Sequence, residues 1–225
     1  MATVRIRETD SESADTWLII DDELEGGKVD VSNEPAWDGT IAPYKLFIQH
    51  GNKKSTHSGG WNVIAQGELN PAGYPEFDST PWQKWRLDIG GAFVVDTYKP
   101  LTCAGLFDGL NMCSTFDLRR LDTSDSTSIR NMFRGCSSVR YLFDVERFNT
   151  SNVTNADQAF MGCISLKVVN LAGWDVSTLV SAENMFESCG AFVLMDSNMR
   201  DKVSALGDTK MFGHSATEGS WMRAN

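Results

Sequence analysis

The chain has 225 residues, of which 41% are hydrophobic and 22% charged, a balance that suits a folded protein and excludes a disordered one. Its formal net charge of −10 argues against nucleic acid and anionic membrane as partners. Residues 1–94 carry 8 Lys/Arg against 15 Asp/Glu and residues 95–225 carry 12 against 15, so neither part offers a basic stripe.

The amino terminus, Met1 to Asp10, has no apolar stretch of the secretory type, and the chain reads as made without an export signal. Thr3-Val-Arg-Ile-Arg7 alternates as a strand does. Trp17-Leu-Ile-Ile20, Tyr44-Lys-Leu-Phe-Ile48, Trp61-Asn-Val-Ile-Ala65 and Trp85-Arg-Leu-Asp-Ile89 are further short runs rich in strand formers. Turn signals separate them: Glu25-Gly-Gly-Lys28, Asp38-Gly39, Ser58-Gly-Gly60 and Asn70-Pro-Ala-Gly73. Such punctuation predicts a small β-rich domain over 1–94, a sandwich or a barrel. It is expected to anchor or cap the remainder of the chain, with Trp85 to Val95 leading into the second region. None of the apolar runs is long enough to cross a bilayer.

From residue 95 the chain repeats itself. Leu121, Phe148 and Trp174 open three similar segments; Phe133, Phe160 and Phe186 follow in each, and Cys136, Cys163 and Cys189 come three residues later. All three sets are spaced by 27 and then 26 residues. Weaker copies extend the aromatic series to Phe107 and Phe212, without the cysteine. A fixed period of this size implies stacked units that cannot bury their apolar faces alone.

Within a unit, a cluster of Thr, Ser, Asp and Asn suits a turn and a helix N-cap. Val153, Ala156, Ala159 and Phe160 then recur at helical spacing, and Gly135 or Gly162 would close that helix. Leu166-Lys-Val-Val169-Asn-Leu171 has the Leu-x-x-Leu-x-Leu form of a leucine-rich-repeat strand. Val139 to Val145 holds one extra residue, which a β-bulge would absorb. The fold class expected is therefore an α/β leucine-rich-repeat solenoid of about five coils over 95–225, behind the β-rich domain.

The string Phe148-Asn-Thr-Ser-Asn-Val-Thr-Asn155, followed by Phe160-Met-Gly-Cys-Ile-Ser-Leu166, closely resembles the BspA-like bacterial surface leucine-rich repeats, a type also found in mycoplasma lipoproteins. The resemblance covers about residues 95–225 and implies a non-enzymatic protein that binds host or matrix partners. Similar repeats in phage structural proteins widen that implication. The resemblance does not extend to residues 1–94.

No catalytic constellation emerges. His50, His57 and His214 are scattered, and no nucleophile triad, zinc pair or phosphate loop is present. Asp21 to Glu25 lacks the spacing of a cation loop. Asp122, Asn149 and Asp175 sit at turn positions. The cysteines at 136, 163 and 189 are expected as buried thiols, because elements packed roughly 8–10 Å apart exceed disulfide reach. Trp17, Trp37, Trp61, Trp82 and Trp85 raise a carbohydrate platform as an idea, with a packed core as the plainer reading. No enzyme, metal or cofactor is implied.

Between buried leucines, Tyr141 and Phe143, Val168 and Asn170, and Leu194 and Asp196 are expected to face outward as a binding patch. The reading is a binding or display protein. Its first form is a phage virion protein, a capsid decoration or tail component contacting other virion proteins. Its alternative is an extracellular bacterial surface adhesin for a host protein or glycan. Neither form involves nucleic acid or membrane insertion, and self-association stays open.

Overall fold

The structure, a computed structural model, describes residues 15–21, 42, 44–50, 62–74, 79–207 and 221–223. The expectations placed on Thr3–Arg7, Trp37, Trp61, His57, His214 and Phe212 lie outside those residues.

Strand β1 (Asp15–Asp21) contains the continuous apolar run Trp17–Ile20, all of it buried, as a strand covered on both faces requires. It pairs antiparallel with β2 (Tyr44–His50) and with β3 (Asn62–Glu68). Strand β4 (Ile89–Val94) runs parallel to β2, and β5 (Thr115–Asp117) runs parallel to β4. The sheet is therefore open, ordered β3-β1-β2-β4-β5.

A sandwich or barrel is not formed by these residues, and the expectation for 1–94 is corrected. Parallel pairing of β2 with β4 demands a crossover instead of a tight hairpin. That crossover carries Trp82 and the 3-10 turn Gln83–Trp85. Trp82 is fully buried, with Trp17 6.0 Å and Tyr74 5.5 Å from its ring centre. Trp17 and Trp82 thus pack a core, with Trp85 partly buried against it. Pairing of β4 with β5 carries the sheet across residue 94, and the apolar core continues from Trp17 through Phe107 to Phe186.

The α/β leucine-rich-repeat solenoid is also corrected. Among the described residues the one α-helix is α1 (Ser197–Leu206), the sheets are open, and the segments expected as repeat helices are turns. The backbone hydrogen bonds give the reason. Ile129, Asn131, Phe133 and Gly135 donate their N–H groups to the carbonyls of Asn155, Asp157, Ala159 and Met161, in the next repeat. Ala156, Gln158, Phe160 and Gly162 do the same to Ser181, Glu183, Met185 and Glu187. Intervening residues close three-residue turns, Met132 to Ile129, Arg134 to Asn131 and Cys136 to Phe133. An α-helix would send all of these donors four residues back along its own segment.

Left-handed residues make the turns possible. Asn131 (φ 59°) and Gly135 (φ 72°) recur as Gln158 (57°) and Gly162 (74°), then as Asn184 (55°) and Ser188 (55°). Each stands third in its turn, where positive φ is needed in the type II form. The extra residue between Val139 and Val145 is taken up by left-handed Asp144 (φ 73°) and the 3-10 turn Val145–Arg147, rather than by a bulge.

Stacked rings fill the interior. Phe107–Phe133, Phe133–Phe160 and Phe160–Phe186 have centroids 5.6, 5.6 and 5.2 Å apart with near-parallel planes. Short strands β6 (Val168–Asn170), β7 (Phe192–Met195) and β8 (Trp221–Arg223) form a parallel sheet on the side where the turns give way to extended chain.

Candidate functional site

The outward face of these short strands carries a group of exposed apolar side chains. Alternation sets it: Val169, Val193 and Met195 point inward and are buried, so their neighbours face out. Tyr141 is 54% and Phe143 66% exposed, and their rings stack with centroids 6.0 Å apart and planes at 15°. Tyr141 bridges to Val168, and Val168 lies in register with Phe192, which is 47% exposed. Asn170 lies in register with half-buried Leu194.

Two rows result, Tyr141-Val168-Phe192 and, beside it, Phe143 with Asn170-Leu194. Of the six residues expected to face outward, Tyr141, Phe143, Val168, Asn170, Leu194 and Asp196, the first three are exposed and Asn170 and Leu194 are half-buried. The register shifts the last pair by two residues. Phe192 belongs to the patch and was missed, although alternation around Val193 was enough to find it. Asp196 does other work. It accepts the N–H groups of Met199 and Gly173, both at 2.9 Å, and these bonds, Met199 first, hold its carboxyl below the usual range. It caps α1.

The repeat anchors are interior. Cys136 and Cys163 are buried free thiols that donate to the carbonyls of Phe107 (3.2 Å) and Phe133 (3.1 Å), one repeat earlier. Burial pushes both thiols well above the ordinary value, and neighbouring thiols add to the effect. Cys189 is partly buried and pushed up to about 11, while burial pushes Cys103 and Cys113 each to about 12. A thiol so shifted carries little thiolate, the nucleophilic form, at neutral pH.

Asp122, Asn149 and Asp175 accept the N–H groups of Ser124, Ser151 and Ser177, two residues on, which closes Asx turns. His50 pairs with Asp15 at the end of β1, and its backbone N–H donates to the Asp96 carboxylate at 2.9 Å. Among the described residues, no group of three or more His, Cys, Asp and Glu could hold a metal ion. No helix there is long and apolar enough to cross a membrane.

A second surface feature was not legible from net charge. Arg119, Arg120 and Arg147 come together on a cleft beside Thr97, Leu121 and Asp122.

Comparison with known proteins gives one family: that described as "Mycoplasma protein of unknown function, DUF285" matches residues 102–220. No curated protein and no solved structure matches the chain.

Proposed function

The chain belongs to the DUF285 family of mycoplasma proteins, and from that premise we propose that it is a non-enzymatic surface protein that binds a protein partner through its outward strand face. The exposed, mutually stacked pair Tyr141–Phe143 carries the reading. Two aromatic rings left in water beside Val168 and Phe192 form a contiguous apolar patch of the kind that marks a contact site. Aromatic residues in such patches supply most of the energy of association.

The family's mycoplasma description favours a cellular protein over a virion component.

The test uses the full chain immobilised against a panel of purified host extracellular-matrix proteins. Binding to a panel member that falls tenfold or more in Tyr141→Ser/Phe143→Ser supports the proposal. Equal binding by that variant contradicts it, as does failure to bind any protein while a catalytic turnover is found.

A further inference from the structure

The cleft lined by Thr97, Arg119, Arg120, Leu121, Asp122 and Arg147 has a volume of about 490 Å³, within the range of small-ligand sites. Its arginines are not equivalent. Asp117 holds Arg119 at two points, Nε to Oδ1 at 2.9 Å and Nη2 to Oδ2 at 2.6 Å. Arg147 reaches Asp144 at 3.5 Å. Arg120 makes no ion pair or side-chain hydrogen bond among the described residues, and attracts Asp117 only through space. Its backbone is nonetheless fixed: its carbonyl accepts the N–H of Tyr98, and neighbouring Leu121 bridges to Tyr98 and is buried. The cleft therefore presents one guanidinium without a direct partner on a hydrogen-bonded backbone, in a chain of net charge −10.

The surrounding charges select the ligand. Asp117 and Asp144 offset Arg119 and Arg147, and Asp122 stays ionised because Ser124 donates to it. With those two pairs offset, a dianion such as phosphate meets one remaining carboxylate, Asp122, and a single cation without a direct partner to hold it. A monoanion needs only Arg120. Asp122 and Thr97 add one acceptor and one hydroxyl, which suit a ligand rich in hydroxyl groups.

We propose that this cleft is a binding site for an acidic sugar, a ring carrying one carboxylate and several hydroxyls. Arg120 engages the carboxylate through its planar fork, a geometry a lysine does not reproduce. Asp122 and Thr97 hold ring hydroxyls, and Leu121 supplies the apolar floor. The site is separate from the strand face, since neither Tyr141 nor Phe143 lines it.

Calorimetric titration of the full chain with N-acetylneuraminic acid tests this, with N-acetylglucosamine, inorganic phosphate and a glutamate-rich peptide as comparators. The acidic sugar should bind, the neutral sugar should not, and Arg120→Ala should weaken binding about tenfold or more. Arg120→Lys should restore only part of it. Tyr141→Ser/Phe143→Ser should bind the sugar as wild type does, so this site and the strand face stand or fall separately. Because the Arg120 side chain makes no hydrogen bond or ion pair within the described residues, Arg120→Ala should melt with wild type, and its loss of binding cannot then be misfolding. No binding of the acidic sugar, unchanged affinity in Arg120→Ala, or a preference for phosphate or the peptide would overturn the proposal.

Discussion

Phe160 and Phe186 lie face to face, centroids 5.2 Å apart and planes 2° from parallel, although 26 residues separate them in the chain. Phe133 lies on the other side of Phe160, at 5.6 Å and 11°. Each repeat thus supplies one ring to a shared column, and the column is what a single repeat lacks.

Removing the middle ring should therefore be costly. Phe160 is 1% exposed, and Phe160→Ala should lose about 3–5 kcal/mol through lost transfer energy and the cavity left behind. Chemical denaturation checks it; a midpoint unchanged from wild type contradicts the stacking.

The left-handed turns make opposite demands at two neighbouring positions. Gly162 has φ 74°, and a Cβ there would also sit 3.5 Å from the Gly135 Cα. Gly162→Ala should cost about 1–2 kcal/mol, the penalty of the left-handed region for a side chain. Gln158 already bears that penalty at φ 57°. Gln158→Gly relieves it but gains entropy when unfolded, so stability should stay within about 0.5 kcal/mol of wild type. Equal destabilisation by both substitutions would mean that these are not turn positions of the kind described.

The thiols set an alkaline limit. Folding raises Cys189 from an ordinary 9.0 to about 11 and Cys103 and Cys113 to about 12. Above pH 9 the unfolded chain sheds thiol protons that the folded chain keeps, so stability should fall as pH rises from about 9 toward 12. Below 9 this contribution is constant. In native conditions Cys136 and Cys163 should resist thiol reagents until the chain unfolds, with Cys189 reacting first. A flat stability profile across that range, or prompt native labelling of Cys136, contradicts the burial.

Asp196 offers a complementary acid limit. Its carboxyl is lowered by the Met199 and Gly173 N–H groups, so its contribution is present above the ordinary carboxylate range and lost as pH falls through its lowered value. Asp196→Ala should cost about 1 kcal/mol as a lost N-cap and flatten that acid dependence. Loss of stability without any change in the acid profile would argue against the cap.

The repeat phase was legible because anchors at 27 and 26 residues hold a single register. The local conformation was not. Ala156, Ala159, Phe160 and Cys163 are buried while Asp157, Gln158, Met161 and Gly162 are not. That burial pattern is the same for a helix and for tandem turns, since both bring back one face at three and four residues. The discriminating signal was available four residues before Gly109, Gly135 and Ser188: Gly105, Asn131 and Asn184 are residues that tolerate left-handed backbone. Gln158 at the equivalent place hid it. The open sheet was hidden differently, because a parallel β2–β4 pair is a long-range choice that no local run of β-formers announces. Tyr141 and Phe143 were readable from alternation alone. Phe192 needed the register, and the arginine cleft needed the turn at Asp144 that brings Arg147 toward Arg119 and Arg120.

Binding through the strand face is tested most directly by setting that face against other exposed apolar residues of the same chain. Ile164 and Val180 are 63% and 73% exposed and lie outside the two strand rows. Affinity for a protein partner should drop tenfold or more in Tyr141→Ser/Phe143→Ser, while Ile164→Ser/Val180→Ser binds as wild type does. Equal losses in both variants, or none in the first, would contradict the assignment of the partner to Tyr141 and Phe143.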